Sequence, residues 1–396
     1  ASVANTSFGG SWAGLLDAGS TGLHPAAAAV LADVDPTWWG DPHALHSPAR
    51  RARAALDDAR QRLAVGLGVH PEEVSFTPGG AASLRLGMAG LAYAGRRRGP
   101  GVVTSAVERA VVLQPARYAA AHAGDPLLHR VVGVDRVGRI DLDQWHSAVA
   151  FPRVAYAVLQ SANGEVGTRQ PITQAWEEGE RHGIPLLVDA TASLGHDAVP
   201  HHFDAMAGDA RSWGGPPGVG ILVVPSRTRF RRDGPPSGIE GGRADDEPVI
   251  PLVLAAAAAW DEVARAQPGE SGEARQLVNV IRTAAAGVPE TEVVGDPVDR
   301  LPHVVTFSAL LADGEELVRQ FDRLGLQVGS GSACTSSTLE PSHVLAAMGS
   351  LTHGNIRITL PLRAIAPDRQ QMVTAFCEAL PGVVAAVRAQ LDGGMS

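Results

Sequence analysis

From about residue 47 to residue 225 the chain alternates between stretches of helical periodicity and short apolar runs, and glycine or another small residue follows each run. Parallel strands need a crossover, usually a helix, so this alternation predicts an α/β fold with a mainly parallel sheet and helices on both faces. Ala52, Ala55, Leu56, Ala59 and Leu63 recur at helical spacing and stop at Gly66 and Gly68. Val74-Ser75-Phe76-Thr77 then reads as a strand entering the turn Pro78-Gly79-Gly80. Later strands are predicted at Val102 to Thr104, Val154 to Leu159, Leu186 to Asp189 and Val219 to Val224. Ligands of such sheets gather outside the carboxyl ends of the strands.

The stretch Arg232 to Glu247 is rich in Gly, Pro and charge and reads as a mobile loop. Beyond it an Ala-rich helix, Leu252 to Ala266, leads into a second alternating region with strands at Val304 to Phe307 and Asn355 to Leu360. The expected organisation is a large domain over 15–250 and a smaller α+β domain over 251–396, with segment 1–14 packing on the smaller one. No internal repeat is visible. With 396 residues, 45% of them apolar, a sizeable core is expected. Apolar runs such as Ala26 to Leu31 and Leu252 to Ala259 fall short of a bilayer span, and ASVANTSFGG has no basic-then-apolar pattern. No membrane association is therefore expected, and the cytoplasm is the default location. A formal charge of −9 argues against a general affinity for nucleic acid, and the local clusters Arg96 to Arg98 and Arg227, Arg229, Arg231, Arg232 read as solvated faces.

The chemistry-bearing residues are sparse. Cys334 lies among Gly, Ser and Thr, which suits an exposed and reactive thiol, whereas Cys377 sits in the helical pattern QMVTAFCEAL as a small buried one. Five of the 14 histidines fall in two local sets, His43 with His46 and His196 with His201 and His202, but no spacing matches a metal motif and no metal site is expected. All 33 basic Lys+Arg residues are arginine; the chain contains no lysine. An Arg-rich composition explains that on a surface. It does not supply an amine.

Several segments together resemble the cysteine desulfurases of the class V aminotransferases, pyridoxal-phosphate enzymes of fold type I. They are LLDAGSTGLHP (15–25), WGDPHALHSPARRAR (39–53), FTPGG (76–80), SANGEVGTRQPI (161–172), LLVDATASLG (186–195), SWGGPPGVGILVV (212–224) and SGSACTSSTLEPSHVLAAMG (330–349). The resemblance implies that Asp189 pairs with the pyridine nitrogen, that Arg357 in NIRITL grips a substrate carboxylate bidentately, and that Cys334 is the nucleophile that takes sulfur. It further implies a homodimer in which the 232–247 loop reaches the neighbouring site, with Arg243 the residue to test.

Around the cofactor itself the matched positions depart. The lysine that forms the Schiff base is replaced by Ser212, and the histidine before it by Arg211. A hydroxyl forms no imine, and a guanidinium stays protonated. Behind Gly79 and Gly80, which could still hold an anion at a helix start, the family threonine is Ala81 and a phosphate-binding serine is Asp209. Facing the site, Asp209 would repel a phosphate. The ring-stacking histidine aligns with Arg109 and a donor glutamine with Ala192, while a further asparagine aligns with either Asn163 or Gly164. Asn163 is carried as a substrate-binding candidate.

The expectation is a desulfurase-like protein that has lost pyridoxal-phosphate chemistry, acting as a pseudoenzyme, a dimer partner of itself or of an active paralogue, or a sulfur carrier that serves an acceptor protein through Cys334. Pyridoxal phosphate is implied by the family but expected to be neither bound nor covalently held. Two alternatives stand beside this: an active desulfurase with non-covalent cofactor, and a cofactor-independent enzyme acting on a small amino acid or carboxylate. The remodelled pocket, with Arg109, Asp209, Arg211 and Ser212, would hold an anionic ligand or pair its own charges as a network.

Overall fold

A computed structural model describes residues 14–19, 22–235, 237–244, 246–331 and 341–393. Two helices open it: the short α1 (Pro25–Ala32), followed by the 21-residue α2 (Ser47–Leu67). His46 caps α2 through its ring nitrogen, Gly68 ends it in the left-handed region at φ 70°, and the face Ala52, Leu56, Ala59, Leu63 is buried as its spacing predicts. The alternating region then runs β1 (Val74–Thr77), α3 (Gly80–Gly95), β2 (Gly101–Ser105), α4 (Ala110–His122), β3 (His129–Val132), α5 (Leu142–Val149), β4 (Val154–Gln160), α6 (Ile172–His182), β5 (Leu186–Asp189), β6 (Ala205–Asp209) and β7 (Gly220–Val223).

These strands form one seven-stranded sheet in the order β1-β7-β6-β5-β4-β2-β3. Strands β2 to β6 pair in parallel, and β7 alone runs antiparallel to both its neighbours, β6 and β1. The central strands are buried throughout, as a sheet covered on both faces requires. The five strands read from the sequence, β1, β2, β4, β5 and β7, sit where it places them; β3, β6 and the direction of β7 were not legible there.

The rest of the chain comprises α7 (Ile250–Ala286), β8 (Thr291–Val294), β9 (Val304–Ala309), α8 (Gly314–Arg323), α9 (His343–Met348), β10 (Asn355–Thr359) and α10 (Arg369–Gly393). An antiparallel three-stranded sheet, β10-β9-β8, packs its apolar face on α8, α10 and the second half of α7. The helix expected over Leu252 to Ala266 is instead a single 37-residue helix that passes through Pro268, Gly269 and Gly272. Its first half, including Val253, Ala256, Trp260 and Val263, belongs to the core of the large sheet, and its second half, Leu277, Val278, Ile281 and Ala285, to that of the small one. Burial at both ends outweighs the local helix breakers.

Two further expectations change. Within the 232–247 stretch Glu240, at φ 49° in a tight turn, is pinned: it accepts two bonds from Arg60 at 2.6 and 2.7 Å and one from the Phe76 amide at 2.7 Å. Apolar stretches of spanning length were not expected, yet Arg369–Gln390 is one by length and composition, with mean hydropathy 1.5. Its Met372, Val373, Phe376, Leu380 and Val384 face fills the core of the small sheet, and Arg369, 1% exposed, pairs with Glu270 and with Glu273 at 3.2 Å. Cys377 on this helix is half-buried, and burial, aided by Glu378, pushes its thiol up to about 11. Of segment 1–14 only Gly14 is described; its carbonyl accepts from Gln327 of the small domain at 2.8 Å.

Candidate functional site

The parallel strands β1, β2, β4, β5 and β6 all point their carboxyl ends at one edge of the large sheet, and the positions singled out in the sequence converge there. Strand β1 hands over to α3 through Gly79, at φ 148°, and Gly80. A Cβ on Gly80 would lie 2.7 Å from the Thr191 methyl and 2.8 Å from the Asp209 Cβ, so only glycine lets these segments close together.

The first turn of α3 offers a backbone amide of the kind that binds phosphate, but that amide is already used. Gly80 N–H donates to Asp209 Oδ2 at 2.9 Å, and Ala81 adds no side-chain donor beside it. Asp209, at the end of β6, also accepts from the Arg211 backbone at 3.1 Å and from its guanidinium at 3.2 and 3.3 Å. Burial works to raise the Asp209 pKa; the Arg211 and Gly80 hydrogen bonds overcome it and hold the carboxyl below its usual range. The carboxylate expected to repel a phosphate is thus bonded to one of the phosphate site's own donors. Ser212 lies in the one-turn helix Ala210–Trp213, where its hydroxyl donates to the Asp209 carbonyl at 2.9 Å.

At the end of β5, Asp189 Oδ1 accepts from Thr191 N at 2.9 Å and Thr191 Oγ1 at 2.6 Å. Its Oδ2 is buried and accepts no hydrogen bond; the nearest cation is Arg109, 3.8 Å away. Arg109, the residue that caps α4, donates instead to Thr191 Oγ1 at 2.8 Å. Behind it Glu108 is fully buried, accepting from Ser105 Oγ at 2.7 Å and Gln160 N at 3.1 Å. Burial, with the Asp189 charge adding to it, drives the Glu108 carboxyl up to about 8, so it is protonated at neutral pH.

Asn163 spends its amide on the turn after β4: Oδ1 accepts from Glu165 N and Val166 N at 2.8 and 2.9 Å, and Nδ2 donates to Val107 O at 3.2 Å. Gly164 is the neighbour of Ala192, since a Cβ built on it would meet the Ala192 methyl at 3.3 Å. From the small sheet Arg357 on β10 reaches toward this edge, and its Nη2 donates to Asp17 Oδ1 at 3.1 Å. Next to it, Asn355 Oδ1 accepts from Ser330 Oγ at 2.8 Å and Gly331 N at 2.7 Å, anchoring the chain where the cysteine loop begins. Cys334 itself lies outside the described residues. Arg243 is bound within its own chain, donating to Glu72 O at 2.8 Å and Ser75 Oγ at 3.1 Å.

Sequence reasoning missed Asp17 and Thr191, which lie in the quoted motifs, and Glu108, which precedes Arg109; each has a partner distant in the chain, Arg357, Arg109 and Gln160 respectively. The two histidine sets do not converge on an ion. His43 pairs with Glu247 at 2.9 Å, His46 caps a helix, His202 leans on Trp176, and His196 stacks on His303 with centroids 3.5 Å apart.

The residues present do not fit a tethered pyridoxal phosphate. No amine stands at position 212, and the Gly80 amide holds a carboxylate. Asp189 Oδ2 alone keeps the form of a ring-nitrogen acceptor.

Comparison with known proteins agrees with this architecture. The model of the family "Aminotransferase class-V" matches residues 15–236. Among curated relatives, cysteine desulfurase IscS 1 of Archaeoglobus fulgidus is 31% identical over 353 residues, 88% of this chain and 91% of the relative. A cysteine desulfurase of Cereibacter sphaeroides is 33% identical over 384 residues, 93% of this chain and 95% of the relative. In fold the chain is similar to a NifS-like protein, with TM-score 0.83 and 20% identity over 93% of this chain and 98% of that one. It is also similar to the apo cysteine desulfurase of Thermococcus onnurineus NA1, with TM-score 0.81 and 19% identity over 94% of both. On the family match and the curated relatives together, this chain belongs to the class V aminotransferases and is a cysteine desulfurase-like protein of fold type I.

Proposed function

We propose that this chain is a desulfurase-like protein that has left pyridoxal-phosphate chemistry and works as a homodimeric sulfur carrier through Cys334. The observation that carries the reading is that both anion-binding positions of the pocket are occupied by the chain's own carboxylates, Asp209 on the Gly80 amide and Asp17 on Arg357. A phosphate ester or an amino-acid carboxylate must displace a bonded, charged side chain to enter. Of the two uses the sequence left open for Arg109, Asp209, Arg211 and Ser212, this geometry favours the internal network over a ligand site.

Sulfur relay needs no cofactor. The Cys334 thiolate attacks the terminal sulfur of a donor persulfide, the donor's S–S bond breaks, the donor leaves as a thiolate, and a persulfide remains on Cys334. The same exchange in reverse delivers the sulfur to an acceptor thiol. An active desulfurase paralogue suits the role of donor.

Two measurements test this. The purified chain, incubated with pyridoxal phosphate and cysteine, is expected to show no cofactor absorbance beyond that of the free aldehyde and no sulfide release. Offered a low-molecular-weight persulfide, it is expected to gain the mass of one sulfur atom, and Cys334→Ser is expected not to. Cysteine-dependent turnover, or sulfur uptake that survives Cys334→Ser, overturns the proposal. One observation favours the second reading, an active desulfurase with non-covalent cofactor: Asp189 Oδ2 is buried without a hydrogen bond, where a protonated ring nitrogen would satisfy it. Turnover in the first measurement would establish that reading.

A further inference from the structure

On the opposite edge of the large sheet, α5 and α6 bring together three side chains that lie outside the candidate site. Glu178 and His182 stand four residues apart on α6, which places them on one face of that helix. His146, in the last turn of α5, meets them from the side. The two helices are fixed against each other by Trp145, whose indole donates to the Ala175 carbonyl at 3.1 Å. One ligand atom from each of His146, Glu178 and His182 lies within 4.8 Å of the others. Among the described residues this is the group of three His, Cys, Asp or Glu side chains that converges in this way.

We infer that His146, Glu178 and His182 form a binding site for a divalent cation of the zinc type. Two imidazoles and one carboxylate are a donor set that suits Zn²⁺ and leaves a fourth tetrahedral position for water. Ligands about 2.1 Å from a tetrahedral ion stand about 3.4 Å apart, so the present spacing needs only side-chain rotation to close on one. The His146 Nδ1 to Glu178 Oε2 approach is 2.8 Å, and the two imidazoles lie edge to face with centroids 5.6 Å apart. Arg181 takes the other oxygen of Glu178, Oε1, which orients the carboxylate and leaves Oε2 toward the histidines. Glu178 is the least exposed member of its pair, 19% against 56% for His146, so the carboxylate is held while an imidazole is free to swing in.

The place in the fold states the role. Both helices end where β4 and β5 begin, at the amino ends of strands whose carboxyl ends carry the pocket. An ion here ties α5 to α6 and stabilises the large domain without touching Asp189, Asp209 or Arg211.

The test is isothermal titration of the chelator-stripped full chain with Zn²⁺ alone, at neutral pH. One ion per chain is expected, with His182→Ala and Glu178→Gln each weakening binding by about tenfold or more, and with His202→Ala unchanged. The melting temperature is expected to rise with Zn²⁺ in the parent and not in His182→Ala. Since a variant could fail to fold, His146→Asn serves as an independent loss, and circular dichroism must match the parent for each. Absence of saturable binding, binding that survives both His182→Ala and His146→Asn, or binding abolished by Cys334→Ser overturns the assignment.

Discussion

Two carboxylates answer donors at the candidate site, Asp209 the Gly80 amide and Asp17 the Arg357 guanidinium, and they are built differently. Asp209 lies at the end of a central strand, is 8% exposed, and answers a backbone amide as well as a guanidinium. Asp17 comes from the first described segment, is more open, and is bonded to Arg357 by one contact at 3.1 Å. The first is part of the framework, because without it a helix start and a side chain lose their partner. The second is a counter-ion that a competing carboxylate can replace.

The largest expected effect tests the framework half. Asp209→Ala should lower stability by about 1–3 kcal/mol in urea denaturation, the usual cost of leaving buried donors unmet. It should also raise affinity for inorganic phosphate or pyridoxal phosphate, measured by titration. A neutral stability change would make the two carboxylates equivalent. Pairing this variant with Ser212→Lys should restore the visible absorbance of a tethered cofactor more fully than Ser212→Lys alone, because the lysine by itself does not vacate the Gly80 amide.

Proton linkage separates Asp209 from the buried acid behind it. Asp209 has a folded pKa below its unfolded one, so its stabilisation is present above the ordinary carboxylate range and is lost as pH falls through the lower folded value. Glu108 runs the other way: its folded pKa is raised from 4.5 to about 8, so its contribution is full below 4.5 and is lost as pH rises through about 8. Glu108→Gln should therefore flatten the decline of stability between pH 5 and about 9, seen as a melting temperature that falls less than that of the parent. A parallel decline in both proteins would remove Glu108 from the account. Smallest of all, Asp17→Ala should change stability by less than about 1 kcal/mol while tightening the binding of small carboxylates at Arg357, by calorimetry.

Much of the large domain was legible. The Ala52, Leu56, Ala59, Leu63 face and its Gly68 stop, and the strands at Val154 and Leu186, depend on period and punctuation, which are local. Helix α7 was legible only over its first half, because Pro268, Gly269 and Gly272 look like an ending until two cores claim its two halves. Strand β8 escaped notice since Thr291–Val294 is short and only partly buried. In the site, the altered positions 81, 109, 192, 209, 211 and 212 could be named from the motifs, but not their partners. The Gly80 to Asp209 bond spans 129 residues, and the Arg357 to Asp17 bond 340.

What the sequence determined by itself is the absence of an amine: covalent tethering is a property of side-chain identity, and no folding turns serine or arginine into lysine. Only the tertiary structure decided which partners the altered positions meet. Whether Asp209 repels a ligand or replaces one depends on which donors stand around it, and charge compensation is set by neighbours in space rather than in sequence.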